Sequence, residues 1–229
     1  MNNKEFDNII RFLYGLKLID NSNSDNPSRC KKCNVVVDDL CIHSLQCKKG
    51  LNPKWRHDTF NKKLYELLKS EIKNIELEVR PPEQKSRTKP DIIIHDHIMI
   101  KDDHSIKSCK VFLDTIIYDV YRKEHRTDIE NGICKIFSAG KLGEQEKIDK
   151  YKNKFENLRS KGYVFKPIGL ESFGGISKVL KQVINIALLS KAQRIGKDVN
   201  ILQNNYYVKL SMFFKKMMLQ SLHDHVDIV

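Results

Sequence analysis

An α/β fold, a small mixed sheet flanked by helices, is what the sequence predicts, and three observations carry it. β-Branched and aromatic runs recur at Ile92-Ile93-Ile94, from Val111 to Tyr118 and from Tyr163 to Leu170, the composition of buried strands. Longer stretches place apolar residues at helical spacing, as in Phe60, Leu64, Leu67, Leu68 and Ile72. The chain of 229 residues is also long enough to bury one large core or two small ones.

Residues 4–18 carry Phe6, Ile9, Ile10, Leu13, Leu16 and Leu18 close to a helical period. Asn21 to Ser28 holds no apolar residue and marks a boundary, so 1–28 reads as an N-terminal helix and polar linker. Residues 29–52 form the next unit. They contain Cys30 and Cys33 with two residues between them, then nine residues, His43, three residues and Cys47. A Cys-x-x-Cys turn offers two thiolates to one tetrahedral ion, and His43 and Cys47 can complete the shell from one helical turn. Cys41 is a spare that could stand in for either. The segment has little of its own to bury, so a structural Zn²⁺ would explain how it folds, and four protein ligands leave no open position for catalysis. The competing reading is a chance cluster of reduced, buried cysteines.

Residues 53–195 are read as the main domain. A helix opens after Pro53 at Trp55-Arg56-His57-Asp58, and Glu71 falls on its apolar face. Residues 75–80 alternate as a half-buried strand does, Pro81 and Pro82 end it, and Gln84 to Thr88 is a polar, basic loop. Lys89-Pro90-Asp91 leads into one strand, and Asp114 lies inside the other. A carboxylate in a buried strand is costly unless paired, hydrogen-bonded or bound to metal. Pairing the strands would bring Asp91 and Asp114 together as oxygen ligands for a hard divalent cation such as Mg²⁺. The plainer alternative is two strand-end residues capping turns. Glu71 could be a third acid.

Arg122 to Asp128 reads as a solvated loop, and Glu144 to Leu158 as a helix with Ile148, Tyr151, Phe155 and Leu158 on one stripe. Lys147 lies nearest that stripe, Lys154 next and Lys150 further round, so a lysine can reach a neighbouring site or simply extend to water. Gly162 stops the helix, Tyr163 to Leu170 is a strand, and Glu171 to Gly175 turns into a helix over 176–193. Residues 196–229 form a helical extension, with an apolar helix over about 200–222.

Forty-one Lys and Arg against 29 Asp and Glu give a net charge of +12, spread along the whole chain. A polyanionic partner is expected, nucleic acid ahead of membrane. No apolar run reaches the 18 residues that would span a bilayer, and the first residues lack the apolar centre of a signal peptide. An intracellular, nuclear protein is expected, with its cysteines reduced.

Taken in order, these pieces resemble the restriction-enzyme-like endonuclease domain at the C-terminus of reverse transcriptases from site-specific non-LTR retrotransposons. The resemblance runs from the Cys30, Cys33, His43, Cys47 knuckle through Arg56-His57, Lys89-Pro90-Asp91, Asp114 and Lys147-Ile-Asp-Lys150-Tyr151. It continues to Phe165-Lys-Pro167 and Glu171-Ser-Phe-Gly174, and covers about residues 29 to 190.

It implies a restriction-endonuclease-like mixed sheet behind a zinc knuckle, and Mg²⁺-dependent cleavage of DNA phosphodiesters. Asp91 and Asp114, with the Thr115 carbonyl, would hold the metal. Lys147 or Lys150 would supply the catalytic lysine, because Ile116 stands where ordinary restriction enzymes place one. The basic loop 84–89 and Lys31, Lys32, Lys48 and Lys49 would hold DNA phosphates, and element RNA is a second possible partner. Three departures stand out. Twenty-two residues separate Asp91 from Asp114, longer than is usual in that family, so Asp102 and Asp103 are rivals for the second acid. The in-line lysine is missing, and no reverse transcriptase precedes the knuckle in this chain. The rival function is a catalytically inactive nucleic-acid-binding module.

Overall fold

The computed structural model of the chain describes residues 3–21, 27–77, 90–101, 106–120, 137–151, 160–172 and 174–228. Pro81 and Pro82, the basic loop 84–89, Asp102 and Asp103, the segment 122–128, and Lys154, Phe155 and Leu158 lie outside the described residues.

Among the described residues four strands form one mixed sheet in chain order: β1 (Ile75–Leu77), β2 (Ile92–Lys101), β3 (Ile106–Tyr118) and β4 (Tyr163–Glu171). β1, β2 and β3 pair antiparallel, and β4 adds parallel to β3. The polar stretch after Ile94 lengthens the β2–β3 hairpin, and a register shift between Ile94 and Ile98 absorbs its irregularity. The wide gap between Asp91 and Asp114 is therefore the length of a hairpin.

The described helices are α1 (Asn3–Leu13), α2 (Ile42–Gln46), α3 (Pro53–Lys69), α4 (Ser138–Tyr151), α5 (Lys178–Ile195) and α6 (Val199–His225). Local chemistry explains several ends. Asn52 accepts from the Trp55 N–H to open α3, with Pro53 in the first turn, where its missing N–H costs nothing. Ser177 caps α5 in the same way through Leu180, and Gly196, at φ 64°, ends it in the left-handed region.

Side chains alternate across the sheet. Val111 and Leu113 of β3 enter the main core with residues of α3 and α5, while Phe112 packs on the other face with Ile93 and with Tyr151 of α4. Asp114 follows Phe112 by two residues and so belongs to the α4 face. α6 packs outside α3 and α5 and also touches α1 and α2.

One apolar cluster runs from Ile9 and Phe12 through Val37 and Leu45, across the sheet, to Met217 and Leu222. The stretch 29–52 therefore has more to bury than its own sequence suggests, because distant helices supply the other half of its core. No helix among the described residues is long and apolar enough to cross a membrane.

Candidate metal centres

The register that pairs Ile92 with Leu113 sets Asp91 opposite Asp114, and the Asp91 N–H donates to the Leu113 carbonyl at 3.0 Å. Both residues are buried, 7 % and 3 % exposed. Two buried like charges need compensation, and it arrives from three elements. The Thr115 N–H donates to Asp91 Oδ2 at 2.6 Å, and His57 Nε2 of α3 lies 2.9 Å from the same oxygen. Lys147 Nζ of α4 donates to Asp114 Oδ2 at 2.9 Å.

The titration behaviour follows. Burial would raise Asp91, but the hydrogen bond and charge of His57, helped by Thr115, hold it below the usual carboxylate range. Burial and the Asp91 charge push Asp114 up to about 6, against the pull of Lys147. Burial opposes the charged form of His57 as well, yet the hydrogen bond and charge of Asp91 raise it to about 9. Burial and then Asp114 raise the Tyr151 hydroxyl above its ordinary value. One donor atom each of His57, Asp91 and Asp114 lies within 4.8 Å of the others, so the three can share one cation.

Glycines set how closely α4 approaches the sheet. A Cβ on Gly169 of β4 would stand 2.6 Å from the Gly140 carbonyl, and one on Gly143 would stand 2.9 Å from the Tyr118 ring. Two carboxylates fasten the contact: Glu144 accepts from the Gly169 N–H at 3.0 Å and Glu171 from the Gly140 N–H at 3.1 Å. α4 starts at Ser138, six residues before the expected Glu144, and so includes Gly140 and Gly143, two residues of low helix propensity. This seating aims Lys147 at Asp114. Lys150 is exposed, with its ammonium 5.2 Å from the Tyr151 ring centroid.

The second centre lies at Cys30, Cys33, His43 and Cys47, whose donor atoms also fall within 4.8 Å of one another and can hold one ion. A tight turn places the first pair: the Asn34 N–H donates to the Cys30 carbonyl and the Cys30 N–H to the Val35 carbonyl, both at 2.8 Å. Asp38 accepts from the N–H groups of Ile42 and His43 and so anchors the start of α2. The Val35 backbone lowers the Cys33 thiol pKa, which favours the thiolate a metal requires. Cys41 is not part of the set. It is fully buried, and burial pushes its thiol up to about 12.

The two centres are joined by adjacent residues of α3. Arg56, 4 % exposed, donates to the Leu45 carbonyl in α2 and to Ser221 Oγ in α6 at 2.7 Å, while His57 faces Asp91. Gln46 of α2 donates to Asp119, just past β3, at 2.7 Å. The end of α6 closes over the cysteine segment, where the Lys31 N–H donates to the His225 carbonyl and Asp224 accepts from the Leu51 N–H. Lys31 and Lys32, expected to hold phosphates, are ion-paired at the surface with Asp227 and Asp224. Lys48 and Lys49 are exposed.

Two further differences from the sequence reading concern acids and His57. Glu71 does not serve as a third acid; it pairs with Arg194 at 2.8 Å and Lys191 at 3.9 Å, both on α5. In the sequence His57 figures in a helix opening and in the Arg56-His57 piece of the resemblance, with no site role. The signal for it was present, since His57 and Asn61 share the i, i+3, i+4, i+7 stripe of Phe60, Leu64 and Leu68 and so point inward. No protein-family model matches this chain, and no curated protein matches it.

Proposed function

We propose that the chain is a divalent-cation-dependent endonuclease acting on DNA phosphodiesters, built on a restriction-endonuclease-like sheet with a zinc knuckle packed against it. The observation that carries this reading is the pair of opposed, buried carboxylates on neighbouring strands with Lys147 Nζ 2.9 Å from one of them. The donor set fits the cation. Asp91 and Asp114 offer hard oxygen ligands, and burial, then the neighbouring Asp91 charge, raises Asp114, a cost to its ionised form that a bound dication would offset.

Asp91 and Asp114 would hold the ion, Mg²⁺ in the simplest case. When bound, it polarises a phosphoryl oxygen and lowers the pKa of an attacking water. Lys147 supplies a positive charge to the phosphoryl oxygens as negative charge builds in the transition state. The Thr115 N–H fixes the Asp91 carboxylate, and Gly143 and Gly169 fix the distance of α4. The net charge of +12 suits a nucleic-acid backbone, DNA first and RNA second.

Zn²⁺ is the ion proposed for the second centre. The 3.8 Å between the Cys33 and Cys47 sulfurs matches one edge of a tetrahedron with metal–sulfur bonds of about 2.3 Å. Four protein ligands make its role structural.

Nicking of supercoiled plasmid by the purified chain, in Mg²⁺ or Mn²⁺, tests the activity. Wild type should nick. Asp91→Ala and Asp114→Ala should abolish nicking while keeping DNA binding, and Lys147→Ala should slow it by about 10²–10³. A wild type that binds DNA yet never nicks would support the inactive module instead, a reading favoured by His57 and Lys147 already neutralising the two acids.

A further inference from the structure

The acid pair has a neighbour that an all-oxygen site does not need. His57 Nε2 lies 2.9 Å from Asp91 Oδ2, and a ring nitrogen of His57 lies within 4.8 Å of a donor oxygen of Asp114. Two ligands on adjacent corners of an octahedron with bonds of about 2.1 Å are about 3.0 Å apart, so His57 and Asp91 are spaced as neighbouring ligands of one ion. The other ring nitrogen, Nδ1, faces Asp58 Oδ1 at 3.0 Å. This is the arrangement of a metal-bound histidine, in which a carboxylate outside the metal's shell takes the second N–H, fixes the tautomer and leaves the first nitrogen's lone pair to the ion. Asn61, fully buried and in contact with the same ring, keeps its Oδ1 without a hydrogen-bond partner among the described residues. Water carried in by a cation would offer that oxygen a donor.

Resting on the proposed cation site, we infer that His57 is its third protein ligand, oriented by Asp58, and that the site takes a first-row transition-metal dication such as Mn²⁺ in preference to Mg²⁺. Mg²⁺ binds through carboxylates, phosphates and retained waters and gains little from imidazole. The transition-metal dications accept imidazole nitrogen alongside carboxylate, with affinity rising along the series from Mn²⁺. A site of one nitrogen and two carboxylates therefore separates the two classes by its chemistry. His57 is a metal ligand in this assignment, and Asp58 a positioning residue.

The test is Mn²⁺ binding by the full, zinc-loaded chain, followed by electron paramagnetic resonance with Mg²⁺ as competitor. One equivalent of Mn²⁺ should bind, and Mg²⁺ should displace it only in at least about tenfold excess. The bound Mn²⁺ should show hyperfine coupling to a single ¹⁴N, a readout that requires no variant and no activity. His57→Gln should lose that coupling and weaken Mn²⁺ at least about tenfold while hardly changing Mg²⁺. Asp58→Asn should weaken Mn²⁺ by about 10–100-fold. Mn²⁺ binding that needs Asp91 but shows no nitrogen coupling and equal competition by Mg²⁺ would overturn this inference and leave the nuclease reading standing. If neither Mn²⁺ nor Mg²⁺ binds above the Asp91→Ala background, both readings are overturned.

Discussion

At the residue scale, the acid pair is held together by charges from other elements, and this sets its pH response. His57, with its pKa raised from 6.5 to about 9 by Asp91, stabilises the fold of the cation-free protein in its charged form. A raised folded-state pKa means that this stabilisation is complete below about 6.5 and is lost as pH rises through about 9. Without added divalent cations, wild type should exceed His57→Gln in stability by on the order of 2 kcal/mol at pH 6. Urea unfolding of both proteins from pH 6 to 10 checks it: the gap should close towards pH 10, and a constant gap would refute the role. Asp114 runs the other way. Its pKa of about 6 makes its ionisation a cost to the fold that sets in as pH climbs from its ordinary value through 6.

At the element scale, α3 and α4 act as rigid arms. α4 reaches the sheet only because Gly143 and Gly169 leave room for it. Gly169→Ala would press a methyl group against the Gly140 backbone, so the helix must move, at a cost of about 1–3 kcal/mol. Nicking should fall with the displaced Lys147 while cation binding by Asp91 and Asp114 persists; unchanged nicking would show that the lysine does not act from α4. α3 serves both centres with neighbouring residues. Arg56 is buried, and burial lowers its pKa to about 10 against the pull of Asp119. Arg56→Ala would leave the Leu45 carbonyl and the Ser221 hydroxyl short of a donor and loosen α2 from α6. A loss of about 3–5 kcal/mol is expected for breaking such a buried charged network, read from denaturant midpoints.

At the scale of the whole molecule, the cysteine segment and the α/β body share one apolar cluster and a set of ties through Arg56, Gln46 and the end of α6. Chelating the proposed zinc should therefore lower the unfolding temperature of the entire chain in one cooperative transition. Calorimetry showing an early local transition, with the main one unmoved, would mean the segment is energetically separate. The charge of +12 has its own consequence: DNA affinity should fall by about 0.9 log unit per log unit of salt for each phosphate contacted. Salt-independent binding would remove the backbone as the partner.

By itself the sequence determined what depends on short stretches of chain. Periodicity located the strands around Ile92–Ile94 and Val111–Tyr118, because alternation and β-branching act within a few residues. Cysteine and histidine spacing picked out Cys30, Cys33, His43 and Cys47, because a turn and one helical turn fix how far apart ligands can stand. The first turns of α4 are not legible in the sequence, because Gly140 and Gly143 are poor helix formers and only the packing on the sheet holds them in a helix. Only the tertiary structure decided that His57 faces Asp91, 34 residues away, and that Lys147 rather than Lys150 meets Asp114. It alone turned Glu71 towards α5 and tied Arg56 to Ser221, 165 residues further on. Such contacts join segments distant along the chain; a helical stripe can turn His57 inward, but which residue it meets is set by the closing of a common core.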